Sequence, residues 1–197
     1  MDKELYKKLI EMISGYYPTT GMENNQIKEI VSNKINHLDG PSSFKSLCKD
    51  LESIEDVEDV SYLQFPNLKL YLQHIEDIST YRVYKNFAVC ISLLCPYYTF
   101  FYEYDFRIKS KTGFLPISKI GFLDDDKLAI VRRQIDIQNV DSLIKSRFPH
   151  HSYVNHYLLL ANSVDFGPTF GEPIKGNGRN SIFRYLFDST IFNQEYP

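Results

Sequence analysis

The chain contains no tryptophan and only three cysteines and three methionines among its 197 residues. It also lacks any apolar run approaching the roughly 20 residues that a membrane-spanning helix needs. The cysteines Cys48, Cys90 and Cys95 are odd in number and without the close paired spacing of zinc motifs, so they read as small buried apolar residues in a reducing compartment. The N-terminal stretch MDKELYKKLIEMISGYY has no uninterrupted apolar core and no small-residue cleavage site. This places the protein in the cytoplasm by expectation. No HExxH, GxGxxG or GxxxxGK[ST] pattern occurs, and nothing in the sequence requires a cofactor. A basic stripe of the kind that neutralises phosphates is missing too, which argues against nucleic-acid binding.

What the chain does have is aromatic residues, 15 Tyr and 14 Phe, making 15% of the sequence. Tyrosine serves both core and contact surface, because an apolar ring carries a polar tip. Hydrophobic content of 43% and charged content of 24% are those of a globular protein, and the length suits one domain over residues 1–197. The net charge of −3 divides unevenly: residues 1–80 hold 8 basic and 14 acidic side chains, a net of −6, and residues 81–197 hold 14 and 11, a net of +3. Two surfaces of different electrostatic character are expected.

The organising stretch is Tyr81 to Ile108, YRVYKNFAVCISLLCPYYTFFYEYDFRI. Its β-branched and aromatic residues alternate with polar ones on both sides of Cys95-Pro96, as in Tyr102-Glu103-Tyr104-Asp105-Phe106-Arg107, which predicts two long antiparallel strands turning at Pro96. A hairpin around Pro66-Asn67 leads into them. Lys109 to Gly113 forms a turn, and Phe114 to Phe122 a proline-interrupted edge strand. Ahead of the sheet, Leu5, Leu9, Met12 and Ile13 predict a helix over 3–14 ended by Gly15. Ile27, Ile30, Val31, Ile35 and Leu38 predict one over 23–38, and Phe44, Leu47, Cys48 and Leu51 a third, capped by Ser42 or Ser43 after a break at Asp39-Gly40-Pro41. Beyond the sheet, Asp124-Asp125-Asp126 opens a helix through Ile135, Asn139 or Asp141 opens one over 140–148, and Val154, Tyr157, Leu158 and Ala161 share the face of another. A glycine- and proline-rich loop from Asp165 to Asn180 precedes Ser181 to Phe192, an amphipathic helix or a terminal strand. The expected class is α+β: N-terminal helices (1–52) on a mostly antiparallel sheet (57–122), with helices and loop after it (123–197).

Several constellations carry chemistry on paper. His150, His151 and His156 cluster in sequence, but the five-residue gap from His151 to His156 does not superpose on one helical face, so no metal site is expected there. Neither Cys90 nor Cys95 has an adjacent cation to make it a nucleophile. Lys175 to Asn180 has glycines and cations yet matches no phosphate loop. Asp124-Asp125-Asp126 lacks the alternation of a calcium loop. Glu52, Glu55, Asp56, Glu58 and Asp59 place five carboxylates within eight residues, a docking patch for a basic partner or a solvated turn. Of the tyrosines on the central strands, Tyr97, Tyr98, Tyr102 and Tyr104 are the candidates for a contact surface beside those acids.

A small acidic α+β chain rich in Tyr and Phe and without a catalytic constellation resembles bacterial immunity proteins, which bind and neutralise a partner toxin. The resemblance implies a non-enzymatic protein binder whose partner presents a basic surface. The alternatives are a hydrolase or transferase using the His150/His151 region and a structural subunit of a larger assembly. A catalytic site would gather a histidine, an acid and a polar donor in one pocket, whereas a binder would show a broad face of tyrosines and like charges.

Overall fold

A computed structural model describes residues 2–17, 25–37, 39–61, 66–121, 135–166, 169 and 180–187. It is an α+β protein in which helices α1 (Lys3–Tyr16), α2 (Asn25–His37) and α3 (Asp39–Leu51) precede a sheet of β1 (Asp56–Asp59), β2 (Asn67–Ile78), β3 (Tyr81–Ser92), β4 (Tyr97–Ser110) and β5 (Gly113–Gly121). After it come α4 (Ile137–Arg147), β6 (Ser152–Tyr153), α5 (His156–Ala161), β7 (Ser163–Val164), β8 (Asn180–Ser181) and α6 (Ile182–Leu186). No helix among the described residues is long and apolar enough to cross a membrane.

The sheet runs β1-β2-β3-β4-β5 with every one of these pairs antiparallel, and β6 adds a short parallel pairing at the start of β4. The alternation of the central stretch is realised as long ladders, with Val89 opposite both Leu70 and Phe100, and Phe87 opposite both Leu72 and Tyr102. Ser79 takes a positive φ of 47° in the two-residue turn between β2 and β3, and Gly113 opens β5 at φ 129°. At β5 the register shifts between Phe106 and Arg107, Arg107 lying opposite Pro116, which is where a residue without an N–H is tolerated on an edge.

Paired residues share a face, so the ladder sorts the central strands into two surfaces. One carries Leu68, Leu70, Leu72, Val83, Phe87, Val89, Ile91 and Tyr98, all buried, and is covered by α3 and α4. Arg147 on α4 bonds Asp50 on α3 at 2.7 Å, and the Tyr98 hydroxyl donates to Asp141 on α4. The opposite surface presents Ala88, Cys90 and Phe101 to α5 and α6, the Phe101 ring lying 5.6 Å from His156 and 5.9 Å from Phe183. α1 closes against α6 through Tyr17, whose hydroxyl donates to the Tyr185 carbonyl at 2.7 Å.

Several expectations shift. α1 continues through Gly15 to Tyr16, because the hydroxyls of Tyr16 and Tyr17 are anchored on Leu94 and Tyr185 carbonyls. α3 starts at Asp39 and absorbs Gly40 and Pro41; a proline in the first turn loses no intrahelical bond. α4 is capped by Asp136, whose carboxylate accepts from the Gln138 and Asn139 amides, rather than by Asn139 or Asp141. The residues after His151 form a short strand and then a six-residue helix, and the inward positions are His156 and Leu159, with Tyr157 and Ala161 exposed. α6 is too buried to be amphipathic: Ile182, Phe183, Tyr185, Leu186 and Phe187 are all in the core. Asp124 to Asp126 and the helix expected behind them, Tyr62 to Phe65, Lys175 to Arg179 and residues 188–192 lie outside the described residues.

The described helices cover the end of the sheet nearest the β3–β4 connection. At the other end Ile78, Tyr81, Ile108 and Leu115, paired in one row across four strands, are 36%, 38%, 45% and 52% exposed. Phe183→Ala is therefore expected to cost about 3–5 kcal/mol of stability, as for a fully enclosed aromatic, while Leu115→Ala stays within about 0.5 kcal/mol. Denaturant titration of both variants checks the contrast.

Candidate binding surface

Every buried polar residue of β2, β3 and β4 lies on the surface that faces α5 and α6: Asn67, Lys69, Asn86, Ser92, Thr99 and Glu103. A sheet face of this kind is costly unless each group finds a partner. Ser92 does so locally, its hydroxyl donating to the Leu186 carbonyl at 2.7 Å and accepting from the Leu94 and Cys95 amides. Glu103, 1% exposed, accepts from the Tyr71 hydroxyl at 2.8 Å and sits 3.9 Å from the Lys69 ammonium. That ammonium also lies 5.0 Å from the centre of the Tyr71 ring.

Past Glu103 the helices end and the same surface becomes a polar cleft of about 410 Å³. Its floor is one row across the strands, Asp56, Gln73, Asn86 and Glu103, each opposite the next. Gln73 ties the row together, its amide donating to Glu58 at 3.1 Å and to Asn86 at 3.2 Å. The next row supplies Tyr84 and Asp105. Arg107 is bound to Asp105 at 2.7 and 2.9 Å and stacks 4.3 Å from the Tyr84 ring centre. Four carboxylates line it: Asp105 is committed to Arg107 and the buried Glu103 lies beside Lys69, which leaves Asp56 and Glu58 as its exposed acids.

The structure divides the acidic stretch expected to act as one patch. Asp56 and Glu58 project into the cleft from the open edge strand β1, while Glu52 and Glu55 lie in the turn after α3. Asp59 belongs to the opposite sheet face and accepts from the Ser61 amide at 2.9 Å. The tyrosines are corrected more sharply. Tyr98 is 0% and Tyr104 4% exposed, so neither can offer contact surface. Burial and then Asp141 push the Tyr98 hydroxyl well above its usual pKa. Tyr97 and Tyr102 are half-buried, the Tyr102 ring held edge-on to Phe87 at 5.1 Å. All four rings miss the cleft because none shares its position in the ladder. Glu103, Asp105 and Arg107, which do line it, stand in the sequence only as the polar half of an alternation.

The histidines separate. His156 is clasped between Phe101 and Tyr157, with ring centres 5.6 and 4.1 Å away. His150 and His151 border a different cavity, and no group of three metal-ligating side chains converges among the described residues. Burial holds the His151 pKa below its usual value. Burial pushes the Cys48 and Cys95 thiols up to about 11 and about 12, far from nucleophilic thiolates. No protein-family model, curated protein or solved structure matches this chain.

The Lys69 and Glu103 charges at the cleft's inner margin define a stability test. Lys69→Met removes the ammonium from a buried carboxylate and is expected to cost about 3–5 kcal/mol. Adding Glu103→Gln, which keeps an acceptor for Tyr71, should recover part of that loss rather than deepen it. Chemical denaturation of the single and double variants measures the coupling.

Proposed function

We propose that this chain is a non-enzymatic cytoplasmic protein that binds a protein partner through the end of its sheet that the described helices leave uncovered, in the manner of immunity proteins that neutralise a toxin. The observation that carries the reading is the acidic cleft, where Asp56 and Glu58 on an edge strand join Glu103 and Asp105 around a hydrogen-bonded floor. A rigid sheet holds these carboxylates in fixed positions, so a lysine or arginine entering the cleft meets organised charge without a large ordering cost. Ile75, 45% exposed on the same sheet face and paired with Tyr84, offers an apolar contact at the rim. A contact built there would be polar at its centre, with charge complementarity setting register and association rate.

The absence of a relay at the histidines weighs on the same side. The cavity beside His151 has no carboxylate among its described lining residues, and the hydroxyl of neighbouring Ser92 is engaged with Leu186, Leu94 and Cys95. A base with an acid to orient it is not assembled among the described residues there.

Charge reversal tests the proposal. Protein captured from the native cytosol by the wild-type chain should be lost with Asp56→Lys/Glu58→Lys, a pair of exposed positions whose replacement leaves the fold intact by circular dichroism. With the captured partner purified, association should slow as salt rises from about 0.05 to 0.3 M, because the Debye length shortens to less than 10 Å, while dissociation changes less. Equal capture by the doubly reversed variant, or association indifferent to salt, would overturn the reading.

A further inference from the structure

On the far side of the sheet, between α2, α3 and the end of α4, lies a cavity of about 300 Å³. Its floor is apolar and otherwise buried, made of Leu68, Ile91, Leu93 and Phe148. Its rim is cationic or titratable: Lys34, Arg147, His150 and His151. Arg147 is neutralised by Asp50 at 2.7 Å, whereas no carboxylate among the described residues pairs with Lys34, whose half-buried ammonium donates to the Leu93 backbone carbonyl.

We propose that this cavity binds a small organic acid, its hydrocarbon body on the Leu68, Ile91, Leu93 and Phe148 floor and its carboxylate between Lys34 and the His150-His151 pair. The volume stands at the lower limit of small-molecule sites, about 300–1,000 Å³, and an apolar basin with a few convergent polar groups is their usual make-up. Charge selects the sign of the ligand. No carboxylate is among the described lining residues, so three basic side chains surround the opening with only a backbone carbonyl to answer Lys34. Burial pulls the pKa values of both Lys34 and His151 down, and Lys34 and His150 add like-charge repulsion at His151. A bound anion relieves both penalties, because it favours the protonated forms that burial disfavours. The site is separate from the acidic cleft and is opposite to it in charge, so either can fail without the other.

Octanoate is the probe, with octanol as the same body lacking the charge and acetate as the same head lacking the body. Calorimetric titration of the full chain is expected to give saturable one-to-one binding of octanoate, with acetate silent and octanol at least tenfold weaker, and octanoate should shift the Ile91 methyl resonances. Lys34→Gln should weaken octanoate about tenfold or more, the loss of one charged hydrogen bond, and leave octanol unchanged. His150→Gln, at an exposed position, provides a second variant that does not disturb the core and should weaken octanoate in the same direction. Octanol binding as tightly as octanoate, octanoate binding that both variants leave intact, or no octanoate binding at all would overturn the proposal.

Discussion

The structure depends on a mismatch of lengths. Strands β2, β3 and β4 are 12, 12 and 14 residues long, which at about 3.4 Å per residue is on the order of 40 Å or more. The longest of the described helices, at 14 residues, spans only about 21 Å. The described helices therefore cover one end of the sheet on both faces and do not reach the other. Where they cover it, large apolar side chains interdigitate from α3 and α4 on one face and from α5 and α6 on the other. Where they stop, the strands must either turn polar or expose carbon, and they do both, with carboxylates and amides on one face and the Ile78, Tyr81, Ile108 and Leu115 row on the other.

The margin between covered and bare sheet is where the energetic stakes are greatest. Glu103 is buried at that margin, and its carboxylate depends on Tyr71 and Lys69. An apolar residue of similar volume at such a position is often no less stable than a buried ion pair, so stability alone does not account for this group. It fixes one end of the Asp56, Gln73, Asn86 and Glu103 row, and that row holds the two β1 carboxylates in register with the centre of the sheet. The opposite sign of charge gathers around the cavity by Lys34 and His151. Acid on the bare end and base beneath the helices give the chain two chemically distinct openings on opposite faces of one sheet.

Much of this architecture was legible from periodicity. The alternation through Tyr81 to Ile108 specified two long strands and their turn at Pro96, because a one-residue slip would have exchanged every core side chain for a polar one. The amphipathic spacing of Leu9 and Ile13, and of Phe44, Leu47 and Leu51, located α1 and α3. Helix limits were less legible, since tertiary anchors such as the Tyr16 and Tyr17 hydroxyls carried α1 past Gly15. The cleft was the least legible feature. Asp56 and Glu58 were visible as part of an acidic run, but which members of that run share a surface is decided by pairing with β2, and Asp59 falls on the other face. Glu103 could be found only by noticing that Glu103, Asp105 and Arg107 stand two apart on a strand central to the sheet, where one end of their face is covered and the other is not. Tyr98 and Tyr104 were misread for the converse reason: a tyrosine in an alternating strand carries no mark of whether a helix lies over it.

The most direct measurement of the proposed binding surface is amide hydrogen exchange of the chain alone and in complex with the protein captured in the charge-reversal test. New protection is expected in residues 56–59, 73–76, 84–86 and 103–107, the strand segments that build and border the cleft, with α1, α5 and α6 unchanged. Protection confined to those helices, or to the Lys34 and His151 cavity, with the cleft strands exchanging as in the free chain, would contradict a partner site at the end of the sheet that the described helices leave uncovered.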